Sequence, residues 1–282
     1  MVYFGEPILK RLIVASVEYI RKYILSKTVL VIPDSHATPG HDNDRFEWLG
    51  NLIVSVQPEL IVNIGDMAHM GSLSLFDVGK RKAEGQRYEA DIEVTVDANE
   101  RLFAPIRDYN RRNLRAGEAP YNPRKVITLG NHCERINRAT QLEPKWHGHI
   151  SMDDLQYEKF GWEVIPFLEP FVDDEIVYQH YFTAGLKDMS ISGLNAARRL
   201  TQIDGRTHVA GHSHLLQTHR EGRGRERWGI QVGCYFEHME DYLSVEGQAD
   251  WWRGIVLLRE VDATGYCEPQ FITLKTIKRN FS

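Results

Sequence analysis

The chain has 282 residues, 42% hydrophobic and 26% charged, with a formal net charge of −5. That length can bury one large core, and the charge leaves no overall basic surface of the kind that holds nucleic acid by itself. Three cysteines (Cys133, Cys234 and Cys267) share no short spacing. This excludes a disulfide scaffold or a zinc ribbon and points to a reducing, cytoplasmic setting.

Residues 1–26 predict an amphipathic helix, because Leu9, Leu12, Ile13, Ile20, Tyr23 and Ile24 recur at helical spacing. Glu18, Arg21 and Lys22 interrupt the apolar run, so neither a signal peptide nor a transmembrane segment is expected. The helix reads as an N-terminal extension docked on the body, with a homo-oligomer contact or a membrane-surface helix as the other readings. Residues 27–282 read as one domain. Residues 28–32 form a β-branched run stopped by Pro33, and 60–64 form another stopped by Gly65. A long insertion, 67–122, follows as a lid or wall. Within it Tyr88, Ile92, Val96, Leu102, Phe103, Ile106 and Tyr109 predict one or two helices over 86–115, ended by Gly117 and Pro120. Acidic residues lead and Arg107, Arg111, Arg112 and Arg115 trail, which suits the helix dipole. Those arginines read as a solvated end or as a basic lip that steers a polyanion.

Residues 125–129 predict a strand ended by Gly130, with a helix over 131–141. His147 and His149 read as a surface loop. Residues 175–180 predict a strand ending in His180, 192–200 a helix, and 207–210 a strand ended by Gly211. Residues 215–234 read as a hairpin whose tip, 220–227, carries four Arg against two Glu. The tip is either a soluble loop or a cover for a nucleic-acid backbone beside the site. Trp251 and Trp252 read as packing at a sheet edge. His41 and His238 receive no role. There is no Gly-x-x-x-x-Gly-Lys-Ser/Thr loop, so the chain is not a P-loop enzyme.

Metal-ligand side chains stand at the ends of five of these strands: Asp34 and His36, Asp66, Asn131 and His132, His180, and His212 and His214. Ligands of open α/β sheets gather beyond the carboxyl ends of strands. A mixed oxygen and nitrogen set suits first-row divalent metals, not calcium or a thiolate site. Each cluster alone is common, but their joint order is informative.

The order Asp-x-His, Gly-Asp, Gly-Asn-His, His and Gly-His-x-His resembles the calcineurin-like metallophosphoesterase family, of phage and bacterial type, over about residues 28–240. The resemblance implies an α/β fold, a four-layer α/β/β/α sandwich of two mixed sheets. It also implies two divalent cations, manganese first, with iron, zinc or nickel also fitting. Asp34, His36 and His214 would hold one with Asp66. Asn131, His180 and His212 would hold the other, and Asp66 would bridge them. His132 would protonate the leaving group, and a metal-bridging hydroxide would attack phosphorus. Two departures stand out. His69 replaces the second Asp of Gly-Asp-x-x-Asp, and Cys133 replaces the acid after Gly-Asn-His. His69 is expected to orient His132 or touch phosphate, and Arg135 to pair with a substrate phosphate or to form a structural salt bridge. The implied activity is a phosphodiesterase or nuclease acting on DNA, RNA or a nucleotide-type diester, in the cytoplasm (the host's, for a phage-encoded chain). The alternatives are a phosphomonoesterase, a Ser/Thr protein phosphatase, whose Gly-Asp-x-x-Asp-Arg-Gly is missing here, and an inert scaffold of the same fold.

Overall fold

The short apolar runs become strands buried on both faces. The structure, a computed structural model, describes residues 26–185, 189–240 and 244–282. The helix expected in 1–26, with the oligomer contact assigned to it, lies outside the described residues, Ser26 excepted. In chain order come β1 (Lys27–Ile32), α1 (Asp44–Val56), β2 (Leu60–Asn63), α2 (Tyr88–Ala116), β3 (Arg124–Thr128), α3 (Arg135–Leu142) and β4 (Glu163–Ile165). Then follow β5 (Phe171–Asp173), β6 (Ile176–Gln179), a small ribbon of β7 (Thr183–Ala184) and β8 (Met189–Ser190), α4 (Ala196–Leu200) and β9 (Thr207–Ala210). The chain closes with β10 (Leu216–Glu221), β11 (Arg227–Val232), α5 (Val245–Ala249), β12 (Gly254–Val261), β13 (Glu268–Thr273) and α6 (Leu274–Phe281).

The first sheet has the order β13-β12-β1-β2-β3-β4, and the second β10-β11-β9-β6-β5. Strands β1 to β4 are parallel, while β12 runs against β1 and β13. In the second sheet β6, β9 and β11 are parallel, and β5 and β10 run against their neighbours at the edges. The protein is therefore α/β with two mixed sheets and flanking helices.

The pleat splits each apolar run between two cores. Leu30, Ile32, Ile61, Ile127, Ile255 and Leu257 pack on Phe46, Leu49 and Ile53 of α1, on Leu102, Phe103 and Ile106 of α2, and on Ile277 of α6. Their alternates Val29, Val31, Val62, Val126, Val256 and Leu258 face Ile176, Tyr178, Val209, Ile230 and Val232 of the second sheet. The outer face of that sheet carries Val177 and Ala210 against Ala196 and Leu200 of α4. Where α1 meets α2, a Cβ at Gly50 would run into Leu102 and Pro105, so only glycine allows this approach.

Helix α2 is a single helix where one or two were expected, ended by Gly117 at φ 76°. Helix α4 covers only the last part of 192–200, because Gly193 at φ 82° breaks the helical path. Helix α3 starts four residues later than expected, after a turn that carries Asn131 and His132. None of the described helices is long and apolar enough to cross a membrane.

Parallel pairing sends β1, β2 and β3 to one edge, and the second sheet meets them there. Tyr235, after β11, donates its backbone N–H to Asp34 at 2.6 Å, and Gly211 donates to His180 at 2.9 Å. The basic segments lie elsewhere. The Arg-rich tip, 220–227, joins the end of β10 to the start of β11, so it occupies the edge where the parallel strands begin. Arg220 pairs there with Glu226, and Arg225 with Glu175. The basic end of α2 is at the same far edge, since Tyr109 bonds Gln57 just before β2. Neither segment can act as a cover or lip over the ligand cluster, because strand length separates them.

Candidate metal centre

The loops after β1, β2, β3, β6 and β9 each bring polar side chains to the shared rim, and the backbone there is unusual. His36, Asp66, His212 and His214 adopt φ of 42°, 48°, 68° and 59°. Such left-handed conformations cost non-glycine residues energy and persist where the surroundings enforce them, often at functional sites. The motif glycines serve the same crowding. A Cβ at Gly130 would collide with the Asp66 carboxylate, one at Gly211 with that of Asp34, and one at Gly65 with the His180 ring.

Among the described residues four groups could hold a metal ion; two of them, His36 with His69 and His132, and His36 with His238 and Glu240, share His36 and lack an aspartate, and the other two each contain an aspartate. Asp34, His36 and His214 form one, with His214 Nε2 3.2 Å from Asp34 Oδ2. Asp66, His180 and His212 form the other. His180 Nε2 is 3.1 Å from Asp66 Oδ2 and 3.0 Å from Asn131 Oδ1. Asp66 Oδ2 is also 4.0 Å from His36 Nε2, so this oxygen stands between the sets. The backbone pins both carboxylates. His212 N–H donates to Asp34 Oδ1 at 3.0 Å, and His132 N–H to Asp66 Oδ1 at 2.8 Å. His36 Nε2 is fully buried and has no hydrogen-bond partner. A buried ring nitrogen left bare beside two carboxylates fits a metal ligand. The donor set therefore fits divalent cations, and several of these groups could hold one.

Electrostatics agree. Burial pulls the His180 pKa down, but Asp66 and Asp34 outweigh it and raise it to about 9. Burial pushes Asp66 up, and the same histidine together with His132 holds it well below the carboxylate range. Burial and the charge of His180 lower His212 to about 4. Asp66 and Asp34 thus favour a positive charge at His180, the charge that a bound cation would supply in its place.

The structure brings all seven expected ligands (Asp34, His36, Asp66, Asn131, His180, His212 and His214) onto one rim. His132 lies beside them, its Nε2 3.9 Å from Asp66 Oδ2. Its Nδ1 is 2.8 Å from the backbone oxygen of His69. His69 therefore orients His132 through its carbonyl, while its ring meets His36, Nδ1 to Nδ1 at 3.2 Å. Burial drives the His132 pKa well below its ordinary value. Arg135 donates to the backbone oxygens of His69 and Met70 at 3.0 and 3.2 Å and comes within 3.5 Å of His132 Nε2.

Sequence reasoning missed Glu240. This buried carboxylate takes His36 Nδ1 at 3.1 Å, His238 Nε2 at 3.2 Å and Lys82 Nζ at 3.4 Å. The Gln248 side chain clamps its backbone, accepting from the Glu240 N–H at 2.7 Å and donating to its carbonyl at 2.6 Å. No spacing rule marks a carboxylate so far from the motifs. Trp251 packs edge-on against His214, ring centroids 4.5 Å apart, and Tyr181 lies 4.7 Å from the His212 ring.

No family model matches the chain. Among curated proteins it is similar to the Gene 54 proteins of Mycobacterium phages L5 and D29. Each is 24% identical over 245 residues, covering 83% of this chain and 89% of the relative. These names carry no activity, and the likeness is too distant to assign a family.

Proposed function

We propose that this protein is a dinuclear-metal-dependent phosphodiesterase of calcineurin-like type, acting on nucleic acid or a nucleotide-type diester. One observation carries the reading: two histidine–aspartate ligand sets abut with the Asp66 carboxylate between them, and His132 stands at their edge. The helix, sheet, sheet, helix packing order agrees with that type of fold. The phage relatives agree with a phage-encoded protein working in the host cytoplasm.

Asp34, His36 and His214 would hold one cation, Asn131, His180 and His212 the other, and Asp66 both. When bound, such a pair acidifies water and neutralises charge on phosphoryl oxygens. Manganese is the first choice, and iron, zinc or nickel suit the same donors. The chain's own contribution is proton handling and positioning. The His69 carbonyl fixes a proton on His132 Nδ1 and aims Nε2 at the site. At rest His132 is neutral. A phosphoester anion beside it favours the protonated ring, which then serves the leaving oxygen. Arg135, anchored by two carbonyls, offers its remaining donors to the phosphate.

The test is hydrolysis of bis(p-nitrophenyl) phosphate and p-nitrophenyl phosphate with manganese, before and after chelation. Expected is diester turnover that chelation abolishes and that His132→Ala lowers by about 10²–10⁴-fold with metal content retained. A metal-replete protein inert on esters, DNA and RNA would make this an inert scaffold. Monoester turnover alone would make it a phosphatase.

A further inference from the structure

Displacement of the hairpin tip and of the α2 arginines to the far edge leaves a question of where a substrate's non-reacting part is held. A cavity of about 280 Å3 lies between α3 and the segment that follows β2. Arg135 lines it and is also the residue that reaches His132 Nε2. Arg138, one helical turn on, lines it as well. Among the described residues neither arginine has a carboxylate partner in an ion pair. The single carboxylate in the wall, Glu143, is paired with Lys145. Ser72 and Ser74 line one part of the remaining wall, and the rest is apolar and largely open to solvent: Leu75 is 52% exposed, Val78 72%, Leu142 58% and Trp146 42%. Exposed apolar side chains gathered at one place mark a binding surface more often than singly scattered ones do.

Two arginines that form no ion pair among the described residues, a part-exposed indole with Lys145 Nζ 5.3 Å from its ring centroid, and an aliphatic wall, joined to His132 through Arg135, match one ligand chemistry. We propose that this groove is a nucleoside subsite. The base attached to the scissile phosphate lies against Trp146, Leu142 and Leu75, and Arg138 faces the phosphates. The inference rests on the phosphodiesterase reading and narrows it: the substrate carries a nucleobase on the side of Arg135. It also separates this site from one built for simple monoesters, which would leave the apolar wall without use.

The experiment is calorimetric titration of the full-length, manganese-loaded protein with inorganic phosphate, ribose 5-phosphate and AMP. A stacked base contributes about 1–3 kcal/mol, so AMP should bind about tenfold or more tightly than ribose 5-phosphate. Trp146→Ala and Leu142→Ser, both at exposed positions that the fold does not need, should bring AMP to the level of ribose 5-phosphate. If AMP and ribose 5-phosphate bind the native protein equally while diesters are hydrolysed, the groove is not a nucleoside subsite and the metal centre stands. If phosphate does not bind and no ester is hydrolysed, the underlying reading falls and takes the groove with it. If Trp146→Ala abolishes self-association in the ultracentrifuge and leaves AMP affinity as it was, the apolar wall is a contact between copies and the proposal is overturned.

Discussion

Glu240 shows how one residue can set the state of a candidate ligand it does not replace. By accepting the Nδ1 proton of His36 it leaves Nε2 as the ring's free lone pair, directed at Asp66. Such outer partners of metal-binding histidines change metal affinity by about 10–100-fold when lost. Glu240→Gln should therefore weaken manganese binding by about that factor in calorimetry, with an unchanged circular dichroism spectrum. An unaltered affinity would show that the fold alone holds His36. The glycines act at this scale too. Gly130→Ala forces a methyl group against the Asp66 carboxylate. Loss of metal binding on equilibrium dialysis is expected, and full retention of two ions would contradict the crowded arrangement.

Elements hold these residues through their ends and flanks. Arg45 of α1 is a buried cation whose guanidinium reaches the carbonyls of Ser35 at 2.8 Å, Asp42 at 2.6 Å and Tyr235 at 3.1 Å. Burial lowers its pKa to about 10, and the surrounding carbonyls satisfy its donors. The first helix thereby ties the loop bearing Asp34 and His36 to the segment after β11. Helix α2 makes the wall over the first sheet. Its Leu102 is fully buried, and Leu102→Ala should cost about 2–5 kcal/mol in urea unfolding. A smaller loss would mean that α2 packs loosely. The hairpin makes the opposite prediction. Arg223→Gln, at the far-edge tip, should leave diester hydrolysis within about twofold, since the exposed tip is beyond one Debye length of the rim. A larger loss would place nucleic acid across the whole sheet.

Across the molecule, the cysteines act as buried apolar groups. Burial raises Cys234 and Cys267 to about 12 from an ordinary value near 9. For an acid whose folded pKa is raised, stability is intact below the unfolded value and is lost as pH climbs toward the folded one. Between about pH 9 and 12 the protein should lose up to about 1.4 kcal/mol per pH unit for each such thiol. Denaturant melts from pH 8 to 10.5 measure this, and a flat profile would show that the thiols are accessible when folded. What could be read from sequence, and what could not, divides along the range of the forces. Local chemistry was legible: Pro33, Gly65, Gly130 and Gly211 end strands because backbone geometry is set within a few residues. The donor residues just after them suggest a metal site, and the structure gathers them into groups that could hold an ion. The placing of the basic segments was not legible. Their charge is visible in the chain, but strand direction, decided by pairing between distant residues, put both at the edge away from the site. Glu240, Arg45 and the groove beside α3 belong to the same class. Each exists only because packing of the two sheets brings together residues that no local preference relates.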